Sequence, residues 1–126
     1  MTALVVDDEP AVRALATRIL RSGGIVVVEA RDGAEAAELF RRRGGEIDLV
    51  LLDVSVPRVG GLEALERLRE LRPTLPIVVM SGFASRSLPA SVLAHPATRY
   101  LPKPFGAREL LSTVHQALEA REPAPG

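Results

Sequence analysis

The chain has 126 residues, 47% of them hydrophobic, which is room for one domain with a core of its own and too little for two. Sixteen basic and sixteen acidic residues cancel, so no basic surplus calls for nucleic acid, and no apolar run approaches the roughly 18 residues of a membrane-spanning helix. The absence of cysteine excludes a disulfide framework, a thiolate metal site and a thiol nucleophile.

Ala3-Leu4-Val5-Val6 forms a short apolar run closed by Asp7-Asp8-Glu9-Pro10 and reads as a buried strand ending in acids. No basic segment precedes it, and Asp7-Asp8 interrupts the apolar stretch at once. A signal peptide is not expected, and the chain is read as cytoplasmic, without membrane contact. Pro10 suits the first turn of a helix, and Val12, Leu15, Ala16, Ile19 and Leu20 follow at helical spacing up to Gly23-Gly24. Ile25 to Val28 is a second strand. Asp32-Gly33-Ala34-Glu35 has the spacing of a capping box, opening a second helix with Ala36, Ala37, Leu39 and Phe40 on its apolar face. Arg41-Arg42-Arg43 then reads as a solvated last turn that complements the helix dipole, not as a nucleic-acid patch.

The third strand, Ile47-Asp48-Leu49-Val50-Leu51-Leu52-Asp53, is a nearly continuous apolar run of the kind buried on both faces of a parallel sheet. Asp53 stands where it runs out, before a loop marked by Pro57 and Gly60-Gly61. Leu62, Leu65, Leu68 and Leu71 stripe a third helix that Pro73 ends. Pro76 to Met80 is a fourth strand leading into Ser81-Gly82. Pro89 and Pro96 leave space for only a short fourth helix around Ala90 to Ala94, with Pro89 in its first turn. Arg99-Tyr100-Leu101 is a brief fifth strand, Pro102-Lys103-Pro104-Phe105-Gly106 a rigid loop, and Leu110, Leu111, Val114 and Leu118 stripe a fifth helix. Residues 122–126 read as a flexible tail or the start of a linker, leaving 1–121 as the domain.

Five strands alternating with five helices predict an α/β fold, a doubly wound five-stranded parallel sheet of order 2-1-3-4-5 whose switch point lies between the first and third strands. That order brings Asp7-Asp8 beside Asp53, so three of the chain's five aspartates share one place. Close carboxylates repel unless a cation compensates them. A hard divalent ion such as Mg²⁺, which takes oxygen ligands and works beside phosphoryl groups, is the natural partner. His95 and His115 lie outside the cluster. The ends of the fourth and fifth strands add the hydroxyl of Ser81 and the ammonium of Lys103, the one lysine among fifteen arginines. Carboxylate, metal, hydroxyl and ammonium around one point suit phosphoryl transfer.

These four blocks, Val5-Val6-Asp7-Asp8-Glu9-Pro10, Leu52 to Pro57 with Gly60-Gly61, Met80-Ser81-Gly82, and Tyr100 to Phe105, resemble the receiver domain of two-component response regulators over essentially the whole chain. Their style is most similar to receivers attached to hybrid sensor kinases. The resemblance implies a bacterial phosphorelay protein in which Asp53 takes a phosphoryl group from a phosphohistidine of a histidine kinase or phosphotransfer protein. It implies Mg²⁺ held by Asp8, Asp53 and the backbone carbonyl of Ser55, with Asp7 acting mainly through water. Lys103 and Ser81 would bond phosphoryl oxygens, and Tyr100 would change exposure as Ser81 moves. A cis Lys103-Pro104 bond is also implied. Such a domain catalyses only its own phosphorylation and slow dephosphorylation, and is otherwise not an enzyme.

Plainer readings stand beside these. Asp7 alone would cap the first helix, Ser81-Gly82 would be an ordinary turn, and Tyr100 an ordinary edge-strand aromatic. At the level of function, the alternatives are a receiver-like interaction module that is never phosphorylated, and a Mg²⁺-dependent phosphatase using Asp53. The chain shows no cap domain for the latter, and no second acid two residues after Asp53. Ser55 departs from the larger apolar residues common there, and the short fourth helix departs from the usual output surface, so signalling is expected to use another or a reshaped face.

Overall fold

The structure, a computed structural model, describes residues 1–54, 60–82 and 88–121; the expectations placed on Ser55, Pro57 and the tail 122–126 lie outside them. In chain order the elements are β1 (Thr2–Val6), α1 (Pro10–Ser22), β2 (Val26–Ala30), α2 (Gly33–Arg43), a 3-10 turn (Gly44–Glu46), β3 (Leu49–Asp53), α3 (Gly60–Leu71), β4 (Ile77–Ser81), α4 (Ala90–Ala94), β5 (Thr98–Pro102) and α5 (Ala107–Arg121). The strands pair in parallel in the order β2-β1-β3-β4-β5.

The apolar runs divide by alternation. Leu4, Val6, Val50, Leu52, Ile77 and Val79 pack with Ala36, Phe40, Leu65 and Leu68 on the α2 and α3 side. Ala3, Val5, Leu49, Leu51, Val78 and Met80 pack with Ile19, Leu20, Leu110 and Val114 on the α1 and α5 side. Successive strand side chains point to opposite faces, and because helices cover both, neither phase of the alternation is polar.

Local chemistry sets the element ends. Glu9 occupies the N-cap of α1 with extended backbone and no side-chain cap bond, and Pro10 fills the first turn. Gly24, at φ 82°, makes the left-handed exit from α1 that glycine takes without steric cost. Asp32 caps α2 by accepting from the Glu35 N–H at 2.9 Å, as the capping box predicts, but Glu35 reaches back to the N–H of Arg31, not to that of Asp32. Arg41 and Arg42 pair with Glu38 on the surface and Arg43 with Glu46, a solvated helix end.

Several sequence expectations shift. Leu15 and Leu71 lie on predicted apolar stripes yet are exposed, because each sits at the margin of its helix's buried face. Ile25 and Ile47 are buried but precede their strands, and Val26 is exposed on edge strand β2. Pro89 is the N-cap of α4 and not part of its first turn, and α4 has five residues, as short as its flanking prolines require.

The edge of the sheet from which the strands start is tied by directional bonds. Asp48 Oδ2 accepts from the Thr2 N–H at 2.8 Å, while the Asp48 N–H donates to Thr2 O at 2.8 Å. Arg72 donates to the carbonyls of Gly44 and Ile47 at 3.0 and 2.6 Å with its guanidinium over the Phe40 ring. Arg69 donates to Pro73 O, Leu75 O and Thr98 Oγ1. A guanidinium presents five donors in a planar fork, which lets one side chain reach several separate oxygens at once.

Two substitutions test the core with opposite signs. Leu51, fully buried in β3, is expected to lose about 3 kcal/mol on Leu51→Ala. Thr17 buries a hydroxyl that has no hydrogen-bond partner, so Thr17→Val, which keeps the shape, is expected to stabilise by about 1 kcal/mol. Urea unfolding reads both as shifts of midpoint at unchanged slope.

Candidate functional site

Register sets the site. Val6 pairs with Leu52 and Asp53 with Met80, so Asp7, one residue beyond β1, stands level with Asp53 at the end of β3. Ser81 pairs with Pro102, which puts the end of β4 beside Lys103. The Lys103 N–H donates to Ser81 O at 2.9 Å and the Val54 N–H to Met80 O at 3.0 Å, extending the ladders one step past the strands. All the strands run the same way, so these ends collect at one edge.

Asp7 turns off the sheet by local bonds. Its N–H donates to Ala30 O at 3.2 Å, its carbonyl accepts from Arg13 Nη1 at 2.7 Å, and its Oδ1 accepts from the Glu9 N–H at 2.9 Å. Arg13 is in turn held by Glu29, Nε to Oε1 at 3.1 Å. Asp7 therefore shapes the turn into α1 with one oxygen, but it does not cap the helix, whose N-cap is Glu9.

The other oxygen, Asp7 Oδ2, is buried without a hydrogen bond of good geometry and faces the Lys103 ammonium at 2.9 Å. The same Nζ lies 3.3 Å from Asp53 Oδ2 and 3.4 Å from Glu9 Oε1. Asp7, Asp8 and Asp53 each offer a carboxylate oxygen, all within 4.8 Å of one another. The site residues of β1, β3, β4 and β5 thus meet at one place. Ser81 is buried there, and Tyr100 is half-buried, packed against the α3 and α4 side of the core. Ser55 lies outside the described residues. Neither histidine belongs to the acidic cluster.

Burial pushes the Asp7 carboxyl up, and the charge of Asp53 adds to this against the opposing pull of the Glu9 N–H and Lys103. Burial works against the Lys103 ammonium, but Asp7 and Asp53 together outweigh it and raise Lys103 above its ordinary value. The cluster thus keeps its lysine charged and holds more negative charge than one ammonium balances. Oxygen-only donors, close-set and carrying surplus negative charge, fit a hard divalent cation.

Reasoning from sequence missed Glu9 and Arg13. Glu9 had a signal, since it extends the acidic run before Pro10. Arg13 had none: what it bonds is a backbone carbonyl, which the sequence does not display.

The Asp7 shift has a sign in stability. A carboxyl whose folded pKa is raised binds more protons folded than unfolded, so stability falls as pH rises from about 4 through the raised value. Asp7→Asn removes that slope. It is expected to melt higher than wild type at neutral pH without divalent ions, with the gap closing toward about pH 4. Added Mg²⁺ is expected to raise the melting temperature of wild type more than that of the variant.

Comparison with known proteins agrees with this geometry. The sensor kinase CckA of Brucella abortus (strain 2308) is 38% identical over 121 residues, 96% of this chain and 13% of that protein. The response regulator MprA of Mycobacterium sp. (strain KMS) is 41% identical over 123 residues, 98% of this chain and 53% of that protein. The chain therefore spans about half or less of these curated relatives. Among solved structures, a response regulator receiver protein from Sinorhizobium medicae WSM419 superposes with a TM-score of 0.83 at 32% identity, covering 97% of each chain. The receiver domain of the hybrid histidine kinase CckA does so with a TM-score of 0.76 at 35% identity, covering 94% of this chain and 99% of that one. The response regulator receiver domain family matches residues 3–115, nearly the whole of the fold described above, and the chain belongs to that family.

Proposed function

We propose that Asp53 is the phosphoacceptor of this receiver domain, taking its phosphoryl group from a phosphohistidine on a histidine kinase or phosphotransfer protein. The observation that carries the reading is the Asp53 carboxylate, 4% exposed, grouped with those of Asp7 and Asp8 at the edge where the strands end and 3.3 Å from the Lys103 ammonium. A carboxylate so placed is oriented for attack and shielded from bulk water, while a cation stands ready for the charge that arrives.

In the proposed step an Asp53 oxygen attacks phosphorus, the P–N bond to the imidazole breaks, and its electron pair returns to that ring nitrogen, so that a ring already protonated on its other nitrogen leaves as neutral imidazole. Lys103 takes one outer phosphoryl oxygen and the Ser81 hydroxyl donates to another. Asp7, Asp8 and Asp53, with the Ser55 carbonyl as a further ligand, would hold Mg²⁺, which supplies neutralisation of the phosphoryl charge when bound. Movement of Ser81 toward the phosphoryl group would open space that Tyr100, half-buried on β5, can enter. In this reading the domain covers 1–121 with 122–126 as a tail. It turns over no separate substrate, and its only catalysis is its own phosphorylation and slow dephosphorylation.

Support for a protein donor comes from the surface beside Lys103. Val12, the exposed Leu15, Pro104 and Phe105 line a shallow apolar groove next to the ammonium. The output partner is proposed to read a face other than a long fourth helix, because α4 offers five residues.

Intact mass after incubation with phosphoramidate and Mg²⁺ tests the reading. Wild type is expected to gain one phosphoryl group in a Mg²⁺-dependent manner, and Asp53→Asn to gain none. A folded wild type that forms no adduct would turn the reading to a receiver-like module that is never phosphorylated.

A further inference from the structure

Glu9 has no part in the step above, yet its carboxylate reaches the same ammonium. Its Oε1 lies 3.4 Å from Lys103 Nζ across 94 positions of sequence. The side chain is 60% exposed, whereas those of Asp7 and Asp53 are buried, so of the three acids on Lys103 it is the one on the solvent side. An acid at a helix N-terminus ordinarily turns toward the free N–H groups of the first turn. Glu9 does not. It makes no cap bond, Pro10 removes one of those donors, and the carboxylate instead leans to the loop after β5.

We propose that Glu9 is a positioning residue for Lys103, holding the ammonium from the solvent side and so making the site discriminate by charge against free phosphodonors. The inference rests on the reading of Asp53 as acceptor. A donor that approaches Lys103 from the Glu9 side meets that carboxylate, and must draw the ammonium from an acid that already holds it. Both the repulsion and the competition grow with the donor's negative charge. Acetyl phosphate, a dianion near neutral pH, is therefore disfavoured relative to phosphoramidate, which carries one negative charge less. A phosphohistidine presented by a protein brings the binding energy of its own interface and is less affected. With either small donor the Asp53 oxygen forms the new bond to phosphorus; the bond that breaks releases acetate from one and ammonia from the other.

The test compares phosphorylation rates with the two donors for wild type, Glu9→Gln and Glu9→Asp at fixed Mg²⁺, ionic strength and neutral pH. In Glu9→Gln the ratio of the acetyl phosphate rate to the phosphoramidate rate is expected to rise about threefold, the effect of one elementary charge at roughly 6 Å in water. The rise is expected to shrink at high salt. Glu9→Asp, which keeps the charge, is expected to return the ratio toward wild type. A second readout needs neither metal nor phosphoryl group: the side-chain ¹H–¹⁵N signal of Lys103 in metal-free protein is expected to move in Glu9→Gln. An unmoved signal, or equal rate changes with both donors, overturns the proposal while leaving Asp53 as acceptor. No adduct on wild type with either donor overturns the reading of Asp53 and the proposal with it.

Discussion

One ammonium among carboxylates is the interaction on which the rest of this molecule depends. Lys103 is 12% exposed and touches Asp7, Asp53 and Glu9. Neither sign of charge would be tolerable there alone, since an isolated buried ion costs several kcal/mol. Together they are tolerable but not balanced, and the Asp7 carboxyl is raised chiefly by burial, with the charge of Asp53 adding to it. A receiver domain uses this imbalance. In the proposed step the surplus would draw a cation, and the lysine would stay charged for the phosphoryl group that arrives.

Bringing those charges together is the work of the sheet. Four of the five strands end at the site, and each delivers its side chain one residue beyond, or at, its last ladder bond. The apolar residues on both faces fix the register, because a slip of one residue would exchange the two buried faces and misplace every terminal acid. The core that stabilises the fold and the alignment that makes the site are therefore one set of contacts. Backbone bonds past the strand ends, from Lys103 to Ser81 and from Val54 to Met80, carry that alignment into the loops.

Much of this was legible in the sequence, for identifiable reasons. Long apolar runs ending in Asp7 and Asp53 announce buried parallel strands, and alternation with helical stripes gives the layer order. The acid triad, Ser81 and Lys103 followed from strand ends, and the cis Lys103-Pro104 bond followed from the family. What remained hidden has a common character. Leu15 and Leu71 fall on helical stripes, and only the tertiary packing decides that they stay exposed. Arg13, Arg69 and Arg72 bond backbone carbonyls, which all residues share and no motif marks. The 3-10 turn at Gly44–Glu46 is a similar case, since two glycines specify freedom and the Arg72 guanidinium supplies the bond that uses it.

The arginine clamps also divide the molecule mechanically. Asp48, Arg69 and Arg72 bind together the chain segments that lead into β1, β3, β4 and β5, all at the edge opposite the acids. That end behaves as a pedestal, cross-braced by directional bonds that a side-chain rotation at the far edge does not strain. The acids lie at the other end of the same strands, five residues of β1, β3, β4 and β5 away from these bonds. In the proposed step a change of charge at the acids would leave these bonds in place, so the end that ties the strands together is separate from the end that carries the chemistry.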